Sequence, residues 1–177
     1  MSILKVARLG HPVLRKTTDK VDIEKISSKE IQRLIDDMID TMREYEGIGL
    51  AAPQVHQSLQ ISAIESEKNP RYPGAPNIPL NILINPEIVR MSEETVEGWE
   101  SCLSVDDLRG KVSRSTEVDV LAYNREGEKI ILEASGFLAV VLQHEIDHLN
   151  GMVYLDRMKD FTTLSHMNEF QKYWAEK

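Results

Sequence analysis

The chain has 177 residues, 41% hydrophobic and 28% charged, an ordinary globular composition that excludes wholesale disorder and suffices for one domain with a buried core. Its 29 acidic residues outnumber 21 lysines and arginines, for a formal net charge of −8, so neither nucleic acid nor an anionic membrane is an expected partner. The longest apolar run, Phe137–Leu142, is too short to cross a bilayer, the first residues do not read as a secretory leader, and the single cysteine, Cys102, precludes an internal disulfide; the expectation is one domain, residues 1–177, in the cytoplasm.

The first predicted element is a helix. Ser27 and Glu30 have capping-box spacing. Ile31, Leu34, Ile35, Met38, Ile39 and Met42 then recur at helical intervals, with Arg33, Asp36, Asp37 and Arg43 on the other face. Gly47 is the expected stop. A run of small residues follows, Gly47-Ile48-Gly49-Leu50-Ala51-Ala52-Pro53-Gln54. Short strands are expected at Gln60–Ile64, Asn81–Ile84, Glu87–Met91 and Val112–Arg114. Val118–Tyr123 and Lys129–Glu133 read as a hairpin through Asn124-Arg125-Glu126-Gly127. Pro70, Pro73, Pro76 and Pro79 recur at every third position, and the stretch Glu65–Pro79 reads as a stiff surface loop.

A second helix is expected over Phe137–Leu149, starting after Ser135 or Gly136 and stopped by Gly151. It is apolar nearly all round, hence buried, so its ionisable residues must be paired or bound. A last helix, about Thr163–Trp174, places Leu164, Met167, Phe170 and Trp174 on one stripe. Helix, strands, buried helix and terminal helix make an α+β fold with antiparallel strands.

The buried helix carries His144-Glu145-Ile146-Asp147-His148, an H-E-x-x-H pattern. At about 100° per residue, the two histidines project within about 40° of each other and can share one metal ion. Glu145 falls beside the ion, where a carboxylate can take a proton from water and pass it to a leaving group. Such a site needs a third protein ligand and an open position. Cys102 is a candidate as thiolate, and Asp147 a rival better aimed for an outer supporting bond. A zinc endopeptidase would draw instead on a later residue such as His166 or Glu169. A cysteine hydrolase would use Cys102 as nucleophile. A closed structural site would need a fourth ligand, for which only Asp147 offers. His11, His56 and His166 read as structural or exposed.

Three segments in order resemble the peptide deformylase family: Gly47-Ile48-Gly49-Leu50-Ala51-Ala52-Pro53-Gln54, Glu100-Ser101-Cys102-Leu103-Ser104, and Gln143-His144-Glu145-Ile146-Asp147-His148. The likeness extends to Ile3–Val13 and Asn85-Pro86 and so over most of the chain. It implies antiparallel sheets packed around the metal-binding helix, and removal of the N-formyl group from formyl-methionine of new polypeptides, with release of formate. It implies Cys102, His144 and His148 as metal ligands and Glu145 as acid/base. The Gln54 side chain and the Leu103 N–H are implied as oxyanion donors. It also implies ferrous iron in the cell, with zinc, nickel or cobalt as substitutes, and nascent chains near the ribosome as partners. Ile48, Phe137, Val140 and Val141 are candidates for a pocket taking the methionine side chain; the last three share the histidine face. Gly49 would let backbone approach the substrate as an added strand. Arg109 is a candidate peptide contact, equally readable as a solvated charge. Two departures stand out: Ser101 replaces the usual Gly and Asp106 the usual Pro, which bears on substrate preference and rate.

Overall fold

The computed structural model describes residues 2–67, 69, 72 and 74–175. The first helix, α1, spans Lys29–Glu44. Its cap is Ser28, not Ser27: the Ser28 hydroxyl accepts the Ile31 N–H, because the extended residue directly before the first turn is the one that reaches the third amide. The chain leaves the helix through Glu46 at φ +53, one residue before the expected Gly47.

Among the described residues, eight strands form two antiparallel sheets. β1 (Gly49–Ala51), β2 (Ile61–Ser66), β3 (Ile78–Met91), β6 (Glu117–Tyr123) and β7 (Lys129–Ser135) form one, in the order β1-β2-β3-β6-β7. β4 (Thr95–Cys102), β5 (Val105–Ser115) and β8 (Ser165–His166) form the other. β1 and β4 are therefore both edge strands.

Several expectations change here. Asn81–Ile84 and Glu87–Met91 are one strand, β3. Asn85 takes φ +53 and the register shifts between Ile84 and Glu87, so Pro86 lies in a bulge where its missing N–H is tolerated. The Asn85 side chain clasps both backbone groups of Val21. β5 is far longer than Val112–Arg114, and β4 was not expected: its first half is exposed, so it lacks the full-length alternation that marks a half-buried strand. β1 hid within the small-residue run. The terminal helix, α3, begins only at Met167, because Phe161–Thr163 form a 3-10 turn and Ser165–His166 pair with Arg109 and Leu108. Of the proline series, Pro70 and Pro73 lie outside the described residues, and Pro79 belongs to β3. The hairpin β6–β7 is as expected, with Gly127 at φ +81 in its turn.

α1 lays Ile35, Met38 and Met42 on Leu50, Ile61 and Ile84. The second helix, α2, spans Gly136–Leu149 and touches β1, β2, β3, β6 and β7 of one sheet and β5 of the other. That placement brings the H-E-x-x-H residues against the ends of β1 and β4. Among the described residues, no helix is long and apolar enough to cross a membrane.

Candidate metal centre

β4 ends at Cys102, and α2 presents His144 and His148 to it. The ligand atoms of these three buried residues lie within 4.8 Å of one another, the one such metal-ligating group among the described residues. Cys102 Sγ is 3.2 Å from His148 Nε2. His166 and Glu169 belong to β8 and α3 and are not in the group, which disfavours the peptidase arrangement. A thiolate with two imidazoles suits a borderline-soft divalent ion and leaves a fourth position open. The buried Glu145 Oε2 beside it has no hydrogen-bond partner among the described residues, as expected of a carboxylate kept for work at that position.

The surrounding charges favour ligation. Burial opposes ionisation of Cys102, yet His148 and His144 hold its thiol well below the ordinary range. Glu100, two residues before Cys102, accepts a bond from His144 Nδ1 at 2.8 Å, which leaves the other ring nitrogen for a ligand. Burial would raise the Glu100 carboxyl, but His144 and Arg114 hold it at about 2. Arg114 is 4% exposed and forks onto Glu100 at 2.8 and 3.0 Å, then reaches Asp147 at 2.5 Å. Arg157 covers the other Asp147 oxygen at 2.6 Å. Asp147 is thus an acceptor in a supporting network that ties β4 and β5 to α2. Glu145 stands apart: burial, the largest influence on it, pushes its carboxyl up, toward the range useful to an acid/base.

Gly49 faces Glu145 so closely that a Cβ there would overlap the Glu145 carboxylate. Only glycine leaves that space open. Gln54 is fully buried, and its Nε2 points to Cys102 Sγ at 3.4 Å and Ser104 Oγ at 3.3 Å. One hollow is lined by Ile48, Gly49, Gln54, Cys102, Leu103, Phe137, Val140, Val141, His144 and Glu145, so the structure brings those candidates together. Arg109 is instead in the adjoining hollow, which shares Cys102, Leu103 and Tyr72 with the first. It is not a solvated charge: it is 6% exposed and sits 4.7 Å from the Tyr72 ring and 4.8 Å from that of Phe170. Ser101 meets the Tyr72 hydroxyl at 2.5 Å. Asp106 pairs with Arg8, whose Nη1 also donates to the Leu103 carbonyl at 2.6 Å. His11 and His56 stack edge-on, 4.7 Å apart and exposed, away from the site.

Glu100, Arg114, Ser104 and Tyr72 had no role from sequence. Glu100 had a signal, an acid two residues before a candidate thiolate ligand. Arg114 had none, since its partners are 14 and 33 residues away.

A sequence profile described as polypeptide deformylase matches residues 3–163. Peptide deformylase 1 of Bordetella pertussis is 42% identical over 161 residues, 91% of this chain and 90% of that protein. The peptide deformylase of Leptospira biflexa is 40% identical over 173 residues, 96% and 94% of the two chains. A class I type b peptide deformylase from Acinetobacter baumannii, solved with Met-Ala-Ser bound, superposes with a TM-score of 0.86 at 40% identity, covering 89% of this chain and all of that one. A peptide deformylase from Synechococcus elongatus in complex with actinonin gives 0.81 at 34% identity, covering 97% and 86%. With its Cys–His–His cluster and antiparallel sheets around α2, the chain belongs to the polypeptide deformylase family.

Proposed function

We propose that this chain, acting as a single catalytic domain, hydrolyses the N-formyl group from formyl-methionine at the start of nascent polypeptides and releases formate. The observation that carries the proposal is the buried Cys102, His144 and His148 cluster with an unpartnered Glu145 oxygen beside it. These three residues would hold a divalent ion, ferrous in the cell, with zinc, nickel or cobalt as substitutes. Such an ion supplies Lewis acidity and makes water acidic enough to act near neutral pH.

The chain's own residues do the rest. Glu145 takes a proton from the attacking water and delivers it to the departing amine nitrogen. The Gln54 side-chain amide and the Leu103 N–H donate to the oxygen that gains charge as the formyl carbon becomes tetrahedral; one such donor is typically worth ~10²–10³ in rate. Ile48, Phe137, Val140 and Val141 take the methionine side chain. The free edges of β1 and β4 border this hollow, so an extended peptide can add to β1 through Gly49. Arg109, beside the Tyr72 and Phe170 rings in the adjoining hollow, would contact the residues that follow methionine. The Met-Ala-Ser held by the A. baumannii relative has the free methionine amine that the reaction would leave. The proposed setting is the cytoplasm, near the ribosome, where formylated chains emerge.

The test is to incubate the protein with formyl-Met-Ala-Ser, its acetylated counterpart and a longer unformylated peptide. One formate per new amine, with both other peptides intact, is expected. Internal cleavage of the long peptide without formate would restore the endopeptidase alternative.

A further inference from the structure

We propose that Ser104 is a positioning residue for this reaction: its hydroxyl holds the Gln54 side-chain amide so that one N–H faces the oxygen that gains charge. The inference rests on the reading of Gln54 as an oxyanion donor.

The geometry allows a full account of the amide. Gln54 Oε1 accepts the Ala51 N–H at 2.8 Å, which fixes which end of the side chain is oxygen. Nε2 then has two hydrogens to place. One goes to Ser104 Oγ at 3.3 Å and the other toward Cys102 Sγ at 3.4 Å. The hydroxyl thus occupies one N–H and leaves the second aimed at the ligand cluster. Ser104 is completely buried, so water does not compete for that bond. Its own backbone N–H lies 3.4 Å from Cys102 Sγ, which places the hydroxyl within the same turn as the thiolate.

The two residues are also tied to a common frame. Ala7 N–H donates to the Gln54 carbonyl and Leu9 N–H to the Ser104 carbonyl, both at 2.7 Å. Alternate amides of one N-terminal segment therefore set the separation of Gln54 from Ser104. Arg8, between them, holds the Leu103 carbonyl, so the segment also steadies the loop that carries the second donor. Without the hydroxyl, the amide keeps its Oε1 anchor and only the long Nε2 contact to Cys102 Sγ. Its terminal torsion is broad, and the N–H can swing off the position where charge develops. Preorganised donors lose most of their value when their aim is lost.

The experiment is a double-mutant cycle on the metal-loaded enzyme with formyl-Met-Ala-Ser, combined with NMR of the zinc-loaded protein. Ser104→Ala is expected to lower kcat about tenfold, with KM within about twofold and metal content unchanged. In a Gln54→Ala background the same change is expected to cost less than about twofold, because nothing remains to be aimed. The Gln54 side-chain amide resonances should shift in Ser104→Ala. Ser104→Thr, which keeps an oxygen there, should retain kcat within about threefold, and it serves also if the alanine variant does not fold. Equal losses in both backgrounds, an unchanged kcat, or a loss seen only in KM or metal content would overturn the proposal. Wild-type kcat in Gln54→Ala alone would instead overturn the oxyanion reading; the amide resonances would then show independently whether Ser104 sets the side chain.

Discussion

The Glu100 carboxylate lies 2.8 Å from His144 Nδ1, and this bond decides which ring nitrogen would meet a metal ion. A carboxylate accepts and does not donate, so Nδ1 carries the hydrogen of this bond and Nε2 is the nitrogen that would be offered to an ion. Glu100→Gln keeps the shape and loses the charge. Metal affinity should fall at least about tenfold, read by competition with a chelator of known strength. Unchanged affinity would show that the bond only packs the ring.

Gly49→Ala tests the close approach of β1 to the acid/base. The new methyl would overlap the Glu145 carboxylate, so Glu145 must move. Metal content should stay at wild type while kcat falls by about 10²-fold, since small displacements of a reacting group carry penalties of that size. Wild-type kcat would mean that Glu145 has another working position.

Much of this site was legible in the sequence because helices report their geometry locally. The spacing of His144, Glu145 and His148 fixes their relative directions on α2 whatever the rest of the chain does. The α1 stripe was legible for the same reason. The strands were harder. β4 is exposed along its first half, and β5 carries Asp106, Asp107, Arg109 and Lys111 among its apolar residues, so neither shows a clean alternation. Cys102 could be linked to the histidines only by family likeness, because its contact spans 46 residues. The supporting ions Glu100, Arg114 and Asp147 meet only when β4, β5 and α2 pack, and no local pattern encodes that meeting.

Arg114→Met should be strongly destabilising. It removes the cation shared by two buried carboxylates, Glu100 and Asp147. Breaking a buried pair from one side typically costs about 3–5 kcal/mol. Urea unfolding at neutral pH reads the loss. A change below about 1 kcal/mol would mean that Arg157 and His144 suffice to hold the two carboxylates.

The bidentate pair of Arg43 with Glu65, at 2.7 and 2.8 Å, joins α1 to the end of β2. The bond from Arg43 holds the Glu65 carboxyl below its ordinary value of 4.5. Its stabilisation is therefore present above that value and fades as the pH falls through the lowered one. Arg43 is half exposed, so screening limits the pair to about 0.5 kcal/mol. Glu65→Gln should lose that amount at pH 7 and converge on wild type at low pH. A difference that grew on acidification would contradict the pairing.

The most direct test of a metal-dependent deformylase is removal and return of the ion. The protein is stripped by chelator, shown folded by circular dichroism, and assayed for formate release from formyl-Met-Ala-Ser before and after loading with iron(II), nickel(II) or zinc(II) under argon. Activity is expected to vanish on stripping and to return with one ion per chain, and Cys102→Ser is expected not to recover it. Full formate release by the stripped protein would contradict the account and point to Cys102 acting as a nucleophile.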